Sequence, residues 1–379
     1  MKVLIVGAGI SGLTLAAFLE GSNVEYEIID KSKSVHEGGF VLVAWDNVRD
    51  ILKKLGLADQ FDTFGIRIRN YYIRNGKGQL LRNYDLRDFY LDYGTGITML
   101  GRENLRDWLL TKVKESKITT GLSIEKIIQK DSGVEVLLSN QESRRYDILV
   151  GADGIHSCVR SLEFQKDAEK YENWRCWWVW IPNQFNSPAT ITEYIEPGEN
   201  VLIFSAGAKS LAILIAPAEH TLRDSPEGRL ARMKEIFKDE HVLMPEALQG
   251  LQDKDLMPSD LIDVEMKNWV KGRVVLIGDA AHSFGPHAGL GAGMAMEDAY
   301  VLAAELMRIS NHYSVEKALA NYEKKRKPRV RTARRVSEKM RLWTLIKSQP
   351  LRKIVNVCVK FMPESFFVED YNKLLKEEI

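Results

Sequence analysis

Cysteine is scarce in this chain: three in 379 residues, Cys158, Cys176 and Cys358, with no CxxC spacing. That argues against a zinc ribbon or a disulfide framework and predicts a reducing, cytoplasmic compartment. Long apolar runs are also missing. The first, Val3 to Val6, follows Lys2 and stops at Gly7, too short for the apolar stretch of a secretory signal. No stretch approaches the roughly 20 apolar residues of a membrane helix, and Ile354 to Met362 is broken by Asn356 and Lys360. Neither sign of charge is in excess: 53 Lys+Arg against 52 Asp+Glu leave +1. A nucleic-acid protein ordinarily carries a basic surplus, so no nucleic-acid partner is expected. What is present is ordinary globular material, 45% hydrophobic and 28% charged, with enough apolar mass for a core. At about 150 residues per domain, the length predicts two or three folding units.

The N-terminus reads as a βαβ unit. Lys2 to Val6 is a short buried strand, Leu13 to Glu20 a helix, and Tyr26 to Asp30 a second strand ending in an acid. Asn47 to Leu57 and Arg102 to Val113 carry helical apolar spacing. Ile66 to Leu81 alternates around the turn signal Asn75-Gly76-Lys77-Gly78 and predicts a hairpin. Ser123 to Ile128 and Val134 to Leu138 read as an antiparallel pair, and Tyr146 to Val150 as a buried strand. From Trp174 onward short β-rich runs recur (Cys176 to Ile181, Ala189 to Ile195, Val201 to Phe204, Leu211 to Ala216), predicting an inserted antiparallel sheet. Helix returns at Leu230 to Phe237, a strand at Arg273 to Ile277, and helix from Gly293 to the end.

Two glycine constellations carry chemistry. In Gly7-Ala8-Gly9-Ile10-Ser11-Gly12 the first glycine permits a tight turn, the second lets backbone approach a pyrophosphate, and the third lets helix and strand pack closely. Asp30 stands where a carboxylate accepts from ribose hydroxyls. With strand, turn, helix and terminal acid all in order, the pattern points to a dinucleotide site, of NAD or FAD. The second constellation, Gly278-Asp279-Ala280-Ala281-His282-Ser283, precedes Pro286 and Gly289-Leu290-Gly291-Ala292-Gly293. Asp279 can accept from the ribityl or ribose part of a flavin dinucleotide. The glycines admit a flat ring, and a helix starting near Gly293 would stabilise negative charge on it.

With those residues in view, the chain resembles the class A FAD-dependent monooxygenases, the para-hydroxybenzoate hydroxylase-like aromatic and polyketide hydroxylases. That family has three motifs in order: the first glycine turn, a DG motif, here Gly151-Ala152-Asp153-Gly154-Ile155-His156-Ser157 with Arg160, and a GD motif, here Arg273 to Asp279. The resemblance implies an α/β fold: a Rossmann-like FAD domain with a parallel sheet, interrupted by a substrate domain with a mostly antiparallel sheet, plus C-terminal helices. The expected FAD domain is residues 1–70, 98–173 and 265–340, the substrate domain 71–97 and 174–264, and the C-terminal segment 341–379. It also implies that FAD is held by Gly7, Gly9, Ile10, Ser11, Gly12, Asp30, Lys31, Arg102, Asp153, Gly154, Gly278, Asp279, Pro286, Gly289, Leu290, Gly291, Ala292 and Gly293. Two departures stand out. Lys31 replaces the arginine that many relatives carry, and Gly289-Leu290-Gly291-Ala292-Gly293 lacks the Gln and Asn side chains of the usual motif.

The implied reaction begins with NADPH or NADH, bound transiently, reducing FAD. Dioxygen then forms a flavin hydroperoxide that delivers one oxygen atom to an aromatic or polyketide-like small molecule. No metal and no protein nucleophile are required, and a monomer or dimer is expected. A reductase or halogenase on the same fold and a non-catalytic flavin-binding protein are the alternatives. Trp178-Val179-Trp180-Ile181-Pro182 is similar to a halogenase signature but one residue short of it. Alternation predicts Trp178 and Trp180 on one face and Trp177 on the other. His282 and His287 are expected to cap backbone groups, Lys324 to Arg329 to lie on a solvated helix, and Trp343 to Ile379 to be amphipathic.

Overall fold

In the strand Lys2–Val6, every residue from Val3 onward is buried, as a parallel strand covered on both faces requires. The structure, a computed structural model, describes residues 1–34, 41–87, 96–182, 189–206, 209–219, 224–238, 248–363, 370–371 and 374–375. Lys2–Val6 is central in a six-stranded sheet ordered Val270–Lys271, Val274–Leu276, Ile148–Gly151, Lys2–Val6, Glu25–Asp30, Ile118–Thr120. All neighbours run parallel except the first pair. The chain builds outward on one side of Lys2–Val6 and later on the other, so the strand order reverses between Lys2–Val6 and Ile148–Gly151. In open α/β sheets a crevice forms at such a reversal, beyond the carboxyl ends of the strands.

The second large sheet has seven strands, in the order Met257–Val264, Glu169–Pro182, Lys209–Pro217, Glu199–Ala206, Thr190–Glu196, Asn70–Asn75 and Leu80–Asp85. It is antiparallel except between Thr190–Glu196 and Asn70–Asn75. The expected hairpin is there but displaced. Its turn is closed by Asn75, whose side chain accepts from the Gln79 N–H, and its strands are Asn70–Asn75 and Leu80–Asp85. Ile66–Arg67 leaves it to pair with Ile97–Gly101, which also pairs with Val41–Trp45.

The two faces of this sheet pack differently. Trp177, Val179, Tyr194, Ile203 and Leu214 form one apolar cluster with Met233 and Phe237, on and just after the helix Arg229–Ile236. Trp177 meets Phe237 edge-on at 6.2 Å. The opposite face, with Cys176, Ile191, Phe204 and Ile213, joins the main core. The tryptophans follow the expected alternation: Trp178 packs against the main core while Trp177 belongs to the other cluster.

Helix Ile10–Leu19 lies beside helix Gly291–Met307, with Phe18 and Tyr300 rings 5.1 Å apart. The latter starts at Gly291, a little earlier than its apolar periodicity suggests. The helix Val315–Thr344 corrects one expectation. Its basic run is not simply solvated, since Arg326 and Arg329 are buried. The physical reason lies on the helix beneath them. Glu297 and Asp298, both fully buried, receive the two guanidinium groups at 2.6–2.7 Å.

Candidate functional site

The glycines of the first turn divide by what surrounds them. Gly7 has φ +110°, and a Cβ there would stand 2.3 Å from the Ala152 carbonyl oxygen. A Cβ on Gly12 would stand 2.0 Å from the Gly7 carbonyl oxygen. Both positions are closed by backbone and tolerate no side chain. Gly9 has nothing within 4 Å of a Cβ and an ordinary extended conformation, φ −78° and ψ −174°. It faces open space rather than protein.

The three motifs converge. Gly7 packs on Ala152 and Asp153 of the second motif, and a Cβ on Gly278 of the third would meet Ser11 Oγ at 3.1 Å and Ala295 Cβ at 3.1 Å. The N-termini of helices Ile10–Leu19 and Gly291–Met307 are thereby drawn to one crevice, where their unpaired N–H groups favour negative charge. The later turn repeats the division seen in the first. Gly289, at φ +64°, is closed by Val43, and Gly293 by Asn47, whereas Gly291 has nothing within 4 Å. Gly154 also faces open space, at φ +78°. Leu290 is buried and Pro286 is exposed at the start of the 3-10 turn Pro286–Ala288. Ile10, Ser11 and Ala292 are half-buried in the first turns of their helices.

The polar side chains sort in the same way. Asp30 accepts from the Ala8 N–H at 2.7 Å and the Ser32 N–H at 2.8 Å, so it shapes the first turn directly. Asp153 accepts from Ser157 Oγ, the Cys158 N–H and the Val159 N–H, capping the helix Cys158–Glu163. Arg160, fully buried, ties this turn to the third motif through the Ala280 carbonyl at 3.0 Å. Lys31 is exposed and close enough to Cys158 to oppose the upward push that burial gives that thiol. Asp279 is half-buried and Arg102 exposed at the start of helix Arg102–Leu110. Neither has a side-chain partner among the described residues. Open backbone cradles at Gly9 and Gly291, a free carboxylate and a free guanidinium fit a flavin dinucleotide.

A buried charged layer supports the third motif. Asp298 accepts from the Gly278 N–H at 3.0 Å, from His282 Nε2 at 2.5 Å and from Arg326 Nε at 2.7 Å. Burial alone would raise its pKa, but His282 and Arg326 hold it below the usual carboxylate range. His282 therefore bonds a carboxylate, not the backbone group expected of it. His287 is enclosed at Nε2, and burial with the nearby Arg341 cation holds its pKa down to about 4. It is a neutral imidazole at neutral pH.

A second group of residues carries no sequence motif. On the core-joined face of the seven-stranded sheet, buried Glu193 accepts from the Tyr71 hydroxyl and, at 2.7 Å, from Asn200 Nδ2. Burial raises the Glu193 pKa, and burial with the Glu193 charge raises that of Tyr71. Tyr371 and Tyr84 stand near enough to Tyr71 to raise it further. Tyr371 stacks on Trp45 at 4.3 Å, and both donate to the Ala288 carbonyl of the third-motif turn. Tyr371 thus connects the Tyr71–Glu193 pair to that turn. A buried acid in mid-strand, Glu193 between Ile191 and Ile195 on the same face, was the available hint, as was the Glu297-Asp298 pair within an apolar helix.

The FAD binding domain family matches residues 1–337. The aurachin C monooxygenase/isomerase of Stigmatella aurantiaca is 27% identical over 326 residues, covering 85% of this chain and 84% of its own. The FAD-dependent urate hydroxylase of Klebsiella pneumoniae is 26% identical over 348 residues, 87% of each chain. A crystal structure of Klebsiella pneumoniae HpxO complexed with FAD and uric acid superposes with a TM-score of 0.87 at 22% identity, covering 99% of this chain and 96% of that one. The fold is shared across the whole length, and the chain belongs to the FAD binding domain family as an FAD-dependent monooxygenase.

Proposed function

We propose that this monooxygenase uses NADPH or NADH to insert one oxygen atom from dioxygen into a flat aromatic or polyketide-like molecule that carries an N–H or O–H donor. Bound FAD supplies the redox and dioxygen chemistry. The dinucleotide lies over Gly9, with Asp279 accepting from its hydroxyls and Arg102 offering a cation to its phosphates. Asp30 and Asp153 act one step back, fixing the turns around it. Gly291 leaves room for the ring, and the N-terminus of helix Gly291–Met307 favours negative charge there.

The observation that carries the substrate reading is the Tyr71–Glu193 pair. Tyr71 donates its hydroxyl hydrogen to the buried carboxylate, so its oxygen keeps lone pairs to accept from substrate. A substrate acid can then pass a proton to Tyr71 as the Tyr71 proton moves to Glu193, which burial already inclines to accept one. The negative charge shifts onto the substrate ring, making its carbon more nucleophilic toward oxygen. The urate hydroxylase among the relatives is named for a heterocycle rich in such donors.

The test is a panel of phenols and nitrogen heterocycles screened for stimulation of NADPH and NADH oxidation by the flavin-loaded protein. Products are read by mass spectrometry. The expected result is a compound that stimulates consumption and gains one oxygen. A halogenated product, or flavin that no ligand allows a nicotinamide to reduce, would overturn the proposal.

A further inference from the structure

The helix Gln349–Phe361 is mounted the wrong way round for a water-soluble surface. Its inward side carries Arg352, Val355, Asn356 and Val359. Arg352 is buried and donates to the carbonyls of Trp343 at 2.9 Å and Thr344 at 2.6 Å, which end the preceding helix. Its outward side carries Leu351, Ile354, Val357, Cys358 and Phe361. Four of these are 48%, 60%, 56% and 80% exposed (Leu351, Ile354, Val357 and Phe361), and Cys358 is exposed too. At 3.6 residues per turn these positions form one stripe. The stripe continues onto Leu342, 69% exposed, beside a groove of about 300 Å³ lined by Trp174, Leu345 and Ile346.

The charge on the helix itself has one sign. Lys353 and Lys360 are exposed along its edge, Lys347 lies over the Trp174 ring at 5.1 Å, and the helix contains no Asp or Glu. We propose that this stripe is a docking face for an anionic lipid surface. It would lie in the interfacial plane with the lysines reaching the headgroups. No helix among the described residues is long and apolar enough to span a bilayer, so the contact is peripheral. Pairing with a second copy would bring the two lysine edges toward each other without an acid between them. An anionic surface supplies the missing countercharge. The face also gives lipophilic aromatic compounds, which partition into membranes, a short route to the enzyme.

Flavin-loaded protein is sedimented with vesicles of equal phosphatidylglycerol and phosphatidylcholine, and with phosphatidylcholine alone. Most of the protein is expected to pellet with the anionic vesicles and at least tenfold less with the neutral ones. Ile354→Glu/Val357→Glu should abolish pelleting with flavin content and circular dichroism unchanged. Lys353→Glu/Lys360→Glu should reduce it severalfold on anionic vesicles only. Protein that stays in the supernatant with anionic vesicles overturns the proposal. So does a dimer in size-exclusion chromatography that Ile354→Glu/Val357→Glu converts to monomer, which would assign the stripe to a second copy.

Discussion

The crevice at the strand ends and the seven-stranded sheet are built from different materials. The crevice is made mostly of backbone: Gly7 against the Ala152 carbonyl and Gly12 against the Gly7 carbonyl, with the small Ser11 side chain against Gly278. The sheet face is made of side chains brought together across strands, as when Tyr71 meets Glu193 from a distant stretch of chain. Backbone recognition demands particular residues at fixed short spacing. Side-chain recognition demands only that two strands be neighbours, and any of many residue types can then be placed there. Under the proposed function, the first region would hold the flavin dinucleotide and the second would meet the substrate.

The comparison is broken most severely by Gly12→Ala. Its methyl carbon would stand 2.0 Å from a backbone oxygen, and we expect insoluble or unfolded protein, checked by expression and circular dichroism. Gly9→Val should instead fold normally and bind at least tenfold less flavin, because its side chain fills only the open cradle. Equal flavin content in Gly9→Val and wild type would remove that cradle from the site. Arg326→Met leaves Glu297 and Asp298 short of a buried countercharge. A loss of about 3–5 kcal/mol in chemical denaturation is expected, with flavin affinity falling alongside.

Smaller effects sharpen the contrast. Asp279→Ala should weaken flavin binding by roughly tenfold or more, the loss of about 1.5–3 kcal/mol for hydrogen bonds to a charged group, with stability unchanged. Glu193→Gln should leave flavin content intact while lowering substrate-stimulated turnover and changing its pH profile. A fall in flavin content would merge the two regions. His287 gives the mildest signal. Its depressed pKa, about 4 in the folded state, means its stabilising contribution is complete above the ordinary value of 6.5 and is lost as pH falls toward 4. The melting temperature of His287→Gln should therefore decline less than that of wild type across that window.

The turns of the crevice were legible in sequence spacing because Gly7, Gly12 and Gly289 answer local needs of backbone conformation or close packing. The βαβ unit, the DG turn and the GD turn all stand where their patterns put them. Sequence also separated the faces of Trp177 and Trp178. What it could not convey was pairing at a distance. Arg326 and Arg329 sit in a basic run that reads as a wet helix face, yet their partners Glu297 and Asp298 lie on another helix and turn both cations inward. Asp30 and Asp153 were found as acids at turn ends, but nothing local indicated that their oxygens take backbone N–H groups of the turns themselves. The hairpin strands fell a few residues later than alternation suggested because Ile66–Arg67 found another partner strand.

The Glu297, Asp298, Arg326 and Arg329 layer has a consequence for biosynthesis. The crevice opens at residue 7, yet the carboxylate that fastens Gly278 lacks its guanidinium partner, and keeps only His282, until residue 326 has been translated and its helix has docked. The third-motif turn is therefore completed only by the far end of the chain. A chain ending before that arginine would leave Asp298, and the Gly278 turn it fastens, without the guanidinium that neutralises it.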